Sequence, residues 1–437
     1  MSSLDIFESL CCLATCNLNQ WALDFDGNQE RILASIREAK ASGAKFRLGP
    51  ELEISGYSCE DHFLEMDTYL HCDQSLAAIL NTDATDGILC DIGMPVLHNN
   101  VRYNCRIFCL DRKIILIRPK VFMADDGNYR ERRFFTSYKD TGVLESHTLS
   151  EILSKSQGGE DGMKITVPFG IATIATMETV IASEICEELW TADSPHIALA
   201  LAGVEIICNG SGSHHELRKL NSRLSLIKSA TSKCGGAYLY SNHRGCDGNR
   251  MYFDGCSLVC INGELIAQAS QFSLKDVEVV TVVIDLTEIR SFRGASSSFQ
   301  EQSSMAKKIP QIDLRRFSLR ATHQSSSSSQ TAITNLPPVP TTSTSTSTSN
   351  TTSPENHKIS QHPNVPISVR IHSPEEECAM GPACWLWDYL RRSGASGYFL
   401  PLSGGADSSS GTYTTDFFNL YWEYFSCIQF VSCCSTV

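Results

Sequence analysis

Two spacings of hydrophobic residues organise the first three hundred positions. Short apolar runs predict strands over Leu13 to Leu18, Lys45 to Leu48, Gly87 to Val96, Tyr103 to Leu110, Lys113 to Ile117 and Val204 to Cys208. The longer run from Ile171 to Ile185, with Thr and Val interleaved, predicts one or two buried strands. Between the first two strands, Ile32, Ile36 and Ala39 recur at helical spacing within Gln29 to Ala41, and Gly43 stops that helix.

Charge begins where three of these strands end. Pro50 cannot donate to a sheet ladder, so the strand before it stops and leaves Glu51 on its carboxyl-end rim. Arg118-Pro119-Lys120 repeats the arrangement with a lysine. Cys186 follows Ile185 among Glu184, Glu187 and Glu188, and nearby negative charge disfavours a thiolate. A nucleophilic Cys186 therefore needs a base and a cation close by. Ligand sites in layered α/β sheets gather at the carboxyl ends of strands. If the three ends converge, Glu51 can take the thiol proton and Lys120 can offset charge and stabilise an oxyanion.

Composition narrows the class. The chain has 437 residues, enough for two domains, and its 42% hydrophobic and 19% charged content is that of a soluble globular protein. A net charge of −13 argues against nucleic acid or an anionic membrane as partner. No apolar run has the length to span a bilayer, and Asp5 and Glu8 stand where a secretory signal carries positive charge, so a cytoplasmic location is expected. The 19 cysteines form no CxxC pair and are odd in number, which indicates neither a zinc site nor a disulfide framework.

Longer strings carry a resemblance. Gly49-Pro50-Glu51-Leu52-Glu53-Ile54-Ser55-Gly56-Tyr57, Arg118-Pro119-Lys120 and Ser183 to Trp190 resemble the Glu–Lys–Cys segments of the nitrilase superfamily of carbon–nitrogen hydrolases. Asn19 to Phe25, Gly93 to Val96, Val101 to Arg106, Gly127 to Glu131, Ser211 to His215 and Gly245 to Gly248 are similar to one branch, the glutaminase domain of eukaryotic glutamine-dependent NAD+ synthetases. The resemblance runs from about Ala14 to Arg293. It implies an α/β fold, the α-β-β-α sandwich of that superfamily, over residues 1–293. It further implies Glu51 as general base, Lys120 as oxyanion-stabilising cation, Cys186 as nucleophile and Glu131 as a supporting glutamate. Tyr57, Ser211 and Arg218 resemble positions that hold glutamine. His214-His215 invites a metal reading, but adjacent residues on extended backbone point to opposite faces and no carboxylate lies at ligand spacing, so no metal is expected.

Beyond Arg293, Ser296 to Ser304, Ser325 to Ser329 and Thr341 to Ser353 are Ser/Thr tracts that cannot bury enough apolar surface to offset their ordering entropy. A flexible linker is expected over 294–371. Ser373 as N-cap, Pro374 at the first helical position and three glutamates then open a helix running through Trp385, Trp387 and Leu390. It leads to Pro401-Leu402-Ser403-Gly404-Gly405-Ala406-Asp407-Ser408, a strand-to-loop string whose glycines let backbone N–H groups approach phosphate. That string resembles the PP-loop of ATP pyrophosphatases, which implies the start of a Rossmann-like synthetase domain over 372–410 that uses ATP with Mg2+. Residues 411–437 depart from the pattern: Gly411 to Thr415 is a poor helix start, so no helix is expected after the loop.

The resulting expectation is a synthetase truncated at its C-terminus, from splicing or gene prediction. It retains a glutaminase half, has glutamine, deamido-NAD and ATP as the family's small-molecule substrates, assembles as a homo-oligomer, and forms no NAD+ alone. Two other readings stay open, a free-standing amidase and a catalytically silent subunit.

Overall fold

The computed structural model describes residues 9–139, 141–320, 362–398 and 405–411. In chain order it begins β1 (Leu10–Leu18), α1 (Phe25–Ala41), β2 (Phe46–Leu48), α2 (Met66–Leu80), β3 (Leu89–His98), β4 (Val101–Leu110) and β5 (Lys113–Pro119). Then follow α3 (Glu131–Phe134), β6 (Glu145–Thr148), α4 (Glu151–Ser156), β7 (Thr166–Phe169), β8 (Thr173–Ala175), β9 (Val180–Ile185), α5 (Pro195–Leu201) and β10 (Ile206–Ser211). The remainder is α6 (Lys219–Cys234), β11 (Ala237–Gly245), β12 (Phe253–Asp254), β13 (Leu258–Ile261), β14 (Glu264–Gln268), β15 (Val277–Asp285), α7 (Leu286–Gly294), α8 (Ser297–Ser304), β16 (Gln311–Asp313) and α9 (Pro374–Ser393).

The strands join edge to edge in the order β16-β8-β9-β10-β11-β1-β2-β3-β4-β5-β7-β6, a sheet curled so that its halves face one another. Strand alternation sorts the core into layers. Cys12, Ala14, Cys16 and Leu18 of β1 face Ile32 and Ile36 of α1 and Leu76 and Ile79 of α2. Cys11 and Leu13 point the other way, among Phe46, Leu48, Ile181, Ile206, Leu239 and Val259, a core made of strand residues from both halves. Beyond it, Ile207, Tyr238 and Tyr240 meet Leu199 of α5 and Leu220, Leu224 and Ile227 of α6. The order of layers is helix, sheet, sheet, helix, the α-β-β-α sandwich expected. Because helices cover the outer faces, these strands are apolar on both sides.

Direction matters most for function. The neighbours β9-β10-β11-β1-β2-β3 are all parallel, and two antiparallel steps through β4 return β5 to the same direction. The carboxyl ends of β2, β5, β9 and β10 therefore share one rim. The run from Ile171 to Ile185 resolves into the antiparallel pair β8 and β9.

Two expectations are corrected. The linker does not begin at 294, because Ser296 caps α8, Arg293 lies over the ring of Phe299 at 5.2 Å, and β16 pairs in parallel with β8. The backbone is also held before His372, where Asn364 N–H donates to Val283 O at 2.9 Å and Ile367 N–H to Leu265 O at 2.8 Å. Residues 321–361 lie outside the described residues. Second, residues 406–411 are helical, with Ser409 N–H donating to Gly405 O at 3.1 Å, so a helix turn begins within the PP-loop string and passes its end at Ser408, while residues 412–437 of the tail lie outside the described residues. The α9 start is as expected: Ser373 Oγ accepts from Glu376 N–H at 3.2 Å and the Glu376 carboxylate accepts from Ser373 N–H at 2.9 Å.

Candidate active site

The rim brings Glu51, Lys120 and Glu131 into direct contact, all within 4% of full burial. Lys120 Nζ lies 2.6 Å from Glu51 Oε1 and 2.8 and 2.7 Å from the two oxygens of Glu131. Sheet geometry places the lysine, since its N–H donates to Asn104 O at 2.8 Å and its carbonyl accepts from Tyr138 N–H at 2.9 Å. Glu51 is held from several directions. Asn104 Nδ2 donates to Oε1 at 2.7 Å, Gly212 N–H donates to Oε2 at 3.0 Å, and the His243 ring contacts the Glu51 carbonyl. Arg106, itself fully buried, donates to the carbonyls of Gly49 and Pro50 at 2.7 Å each and so fixes the turn that presents Glu51.

Burial works against the charge on Lys120, but Glu131, Glu51 and then the Cys186 thiolate form hold its pKa above the usual lysine value. For Glu131 the balance is reversed: burial raises its carboxyl beyond what Lys120 can offset, with Glu51 adding to the rise. Two carboxylates around one ammonium leave the cluster without spare positive charge. The Cys186 thiol is accordingly pushed well up, by burial first and by Glu51 second, against the pull of Lys120. Cys186 is 4% exposed and rests as a thiol. Glu51 is the carboxylate that, after burial, weighs most on that thiol.

Cys186 has φ of 42°, a left-handed backbone that costs a non-glycine residue about 1–3 kcal/mol and persists where neighbours over-determine it. Asn209 Oδ1 accepts from Cys186 N–H at 2.9 Å, while Asn209 Nδ2 donates to Tyr238 OH at 2.9 Å and Tyr238 OH contacts Glu184. The peptide N–H of Cys186 is thus committed to Asn209, and Lys120 is the cation that pulls on its thiol.

Of the three residues expected to hold glutamine, Tyr57 and Ser211 reach the cluster. Tyr57 OH donates to Glu131 Oε1 at 2.5 Å, and Ser211 O accepts from Glu51 N–H at 3.3 Å while its hydroxyl donates to Asn209 at 2.8 Å. Arg218 does not. Its φ of 66° at the start of α6 turns it away, and its guanidinium donates to Glu377 Oε1 at 2.9 Å and to His372 O at 2.5 Å. The neighbouring cation lies nearer: Lys219 Nζ pairs with Glu216 Oε1 at 3.0 Å and lies 5.4 Å from the centre of the Tyr129 ring, and Tyr129 OH donates to Gly212 O at 3.2 Å. A cleft beside the cluster is lined by Tyr57, Tyr129, Arg130, Glu131, Phe134 and Met251 among others. His214 lies against Tyr129 at 4.7 Å and His215 against Phe272 at 5.0 Å, on separate sides of the backbone. Burial, with Lys219 nearby, pushes His214 down to about 4, so it is neutral at pH 7. Within the PP-loop string, Gly405, Ala406, Asp407 and Ser408 open the helix turn described above, and Pro401, Leu402, Ser403 and Gly404 lie outside the described residues.

Sequence reasoning missed Asn104, Asn209, Lys219 and His243. Two asparagines and a histidine inside apolar strand runs were the available signal, because a buried polar group on a strand needs a partner.

A buried thiol, a carboxylate and a charged lysine on one sandwich rim are groups suited to hydrolysing amides, and the chain belongs to the carbon-nitrogen hydrolase family, whose model matches residues 12–294. Among curated proteins it is 52% identical over 400 residues to glutamine-dependent NAD(+) synthetase of Saccharomyces cerevisiae, covering 91% of this chain and 51% of that protein. It is 49% identical over 398 residues to the Homo sapiens protein of that name, with 91% and 51% covered. The chain thus spans about half the length of the relatives it matches. A solved glutamine-dependent NAD(+) synthetase from Cytophaga hutchinsonii shares the fold at a TM-score of 0.65 and 21% identity, over 94% of this chain and 52% of that one.

Proposed function

We propose that this chain hydrolyses the side-chain amide of glutamine to glutamate and ammonia, as the glutaminase part of a glutamine-dependent NAD+ synthetase. The observation that carries the reading is Lys120 Nζ held between Glu51 and Glu131 beside the strained Cys186 elbow. Cys186 Sγ attacks the amide carbon while Glu51 takes the thiol proton. Lys120 faces the charge developing on the carbonyl oxygen. Glu51 passes the proton to the departing nitrogen, so ammonia leaves and a thioester remains. Water then attacks the thioester with Glu51 again as base, glutamate is released and the thiol is restored. Glu131 keeps Lys120 charged and in place. Tyr57 and Ser211 lie where the substrate enters.

In the synthetase reaction the ammonia amidates deamido-NAD at the expense of ATP. The relatives' shared name supports this, as does similarity that extends over 400 residues, well past the hydrolase segment. ATP, accompanied by Mg2+, would meet the PP-loop string, whose described part opens a helix turn at Ala406. We further propose a cytoplasmic location and a homo-oligomeric assembly. The test is ammonia release from glutamine measured against a panel of simple aliphatic amides. A preference for glutamine supports the reading, and equal or better rates on small amides would replace it with a general amidase.

A further inference from the structure

Glu188 is fully buried two residues beyond the proposed nucleophile and enters none of the steps above. Its carboxylate collects donors from two separate strand ends. Oε2 accepts from Ile185 N–H at 2.7 Å, reaching back over the one-turn helix Cys186–Leu189 in which Glu188 is the third residue. Oε1 accepts from Val121 N–H at 2.6 Å and from Arg118 Nη1 at 2.8 Å. Cys186 lies between Ile185 and Glu188 in sequence, and Lys120 lies between Arg118 and Val121. One carboxylate therefore brackets both reacting groups. It ties the carboxyl end of β9 to that of β5, strands that lie in opposite halves of the curled sheet and share no ladder.

We propose that Glu188 is a positioning residue, a strap that sets the spacing of Cys186 from Lys120 and holds the Cys186 backbone in its left-handed conformation. This inference rests on the thioester reading above. The alternative role for a buried carboxylate opposite an arginine is to hold the fold, and the two roles differ in what they predict. A strap acts on the geometry of the reacting atoms, where a displacement of about 1 Å costs on the order of 10²-fold in rate. A fold-holding pair acts on the folded fraction alone.

The test substitutes Glu188→Gln, which keeps the shape but gives one acceptor oxygen and an N–H2 group where three donors converge. Glu188→Asp, which keeps the charge and shortens the reach, is read alongside in case the first variant does not fold. Each folded variant is assayed for glutamine turnover, and Cys186 alkylation by iodoacetamide is followed by mass spectrometry, with the exposed Cys378 as internal control. Expected is a fall in kcat of about 10²-fold with KM within about threefold, slowed alkylation of Cys186 and unchanged alkylation of Cys378. A folded variant with kcat within about threefold of wild type, or a lower kcat with Cys186 alkylation unchanged, overturns the proposal. Absence of glutaminase activity in the wild type would instead overturn the thioester reading, and the alkylation comparison would still report on the strap.

Discussion

Replacing Lys120 by Met separates the lysine's two tasks. The substitution keeps most of the side-chain length but leaves Glu51 and Glu131 facing each other with no cation, both fully or almost fully buried. Breaking a buried ion pair from one side typically costs about 3–5 kcal/mol. At roughly 2–4 °C per kcal/mol for a domain of this size, Tm should fall on the order of 10 °C. The loss should depend on pH in a particular direction. The Glu131 carboxyl already sits above its ordinary value because burial outweighs Lys120, and removing the cation raises it further. The folded variant then keeps a proton that the unfolded chain releases near the ordinary glutamate value. That contribution to stability is fully present at acid pH and is lost as pH rises through the folded value. The Tm gap between wild type and variant, measured by calorimetry, should therefore widen from pH 5 to pH 8. Turnover should fall about 10²-fold or more with a smaller effect on KM, since Lys120 faces charge that develops during the reaction. A gap independent of pH would refute the reversed charge balance, and a change confined to KM would refute the oxyanion role.

Cys186→Ala should abolish ammonia release while circular dichroism and Tm stay near wild type, and residual turnover above a small fraction would remove Cys186 as nucleophile. Tyr57→Phe deletes the hydroxyl on Glu131 but leaves its Lys120 and Ala124 bonds, so stability should drop by only about 1 kcal/mol, read by urea titration. Arg218→Ala should leave the KM for glutamine within about twofold, whereas Lys219→Met should raise it about tenfold, the loss of one charge-assisted contact. Steady-state kinetics on the pair decides which cation faces the substrate.

The legible part of this protein is what strand direction dictates. Glu51, Lys120 and Cys186 each follow a strand end, and a parallel array gathers such ends on one rim, so punctuation by Pro50 and Pro119 and the charges after Ile185 made their convergence an expectation that the strand directions then had to decide. Arg218 illustrates what could not be read. Arginine and lysine are adjacent, and the left-handed backbone of Arg218 at the head of α6 goes with a guanidinium that turns to Glu377 and His372 rather than to the cluster. The Ser-rich stretch after Arg293 misled for a related reason. Its composition argues against a self-sufficient core, yet α8 needs none, because Ser303 Oγ donates to Leu201 O at 2.7 Å and Phe299 covers Arg293 on a surface built by earlier elements. Asn104 and Asn209 were hidden inside apolar runs where spacing reports only which face is buried, not which polar group waits on the far side.

The resting thiol at Cys186 bears on how this protein would age. Sulfenic acid formation follows thiolate character and access, and Cys186 has little of either. Peroxide brings no carbonyl for Lys120 to polarise and so does not recruit the base that an amide does. In the proposed mechanism the nucleophile is in effect generated on demand, and among the described cysteines oxidative damage at pH 7 should fall first on the exposed Cys378, leaving turnover largely intact while the surface is already modified.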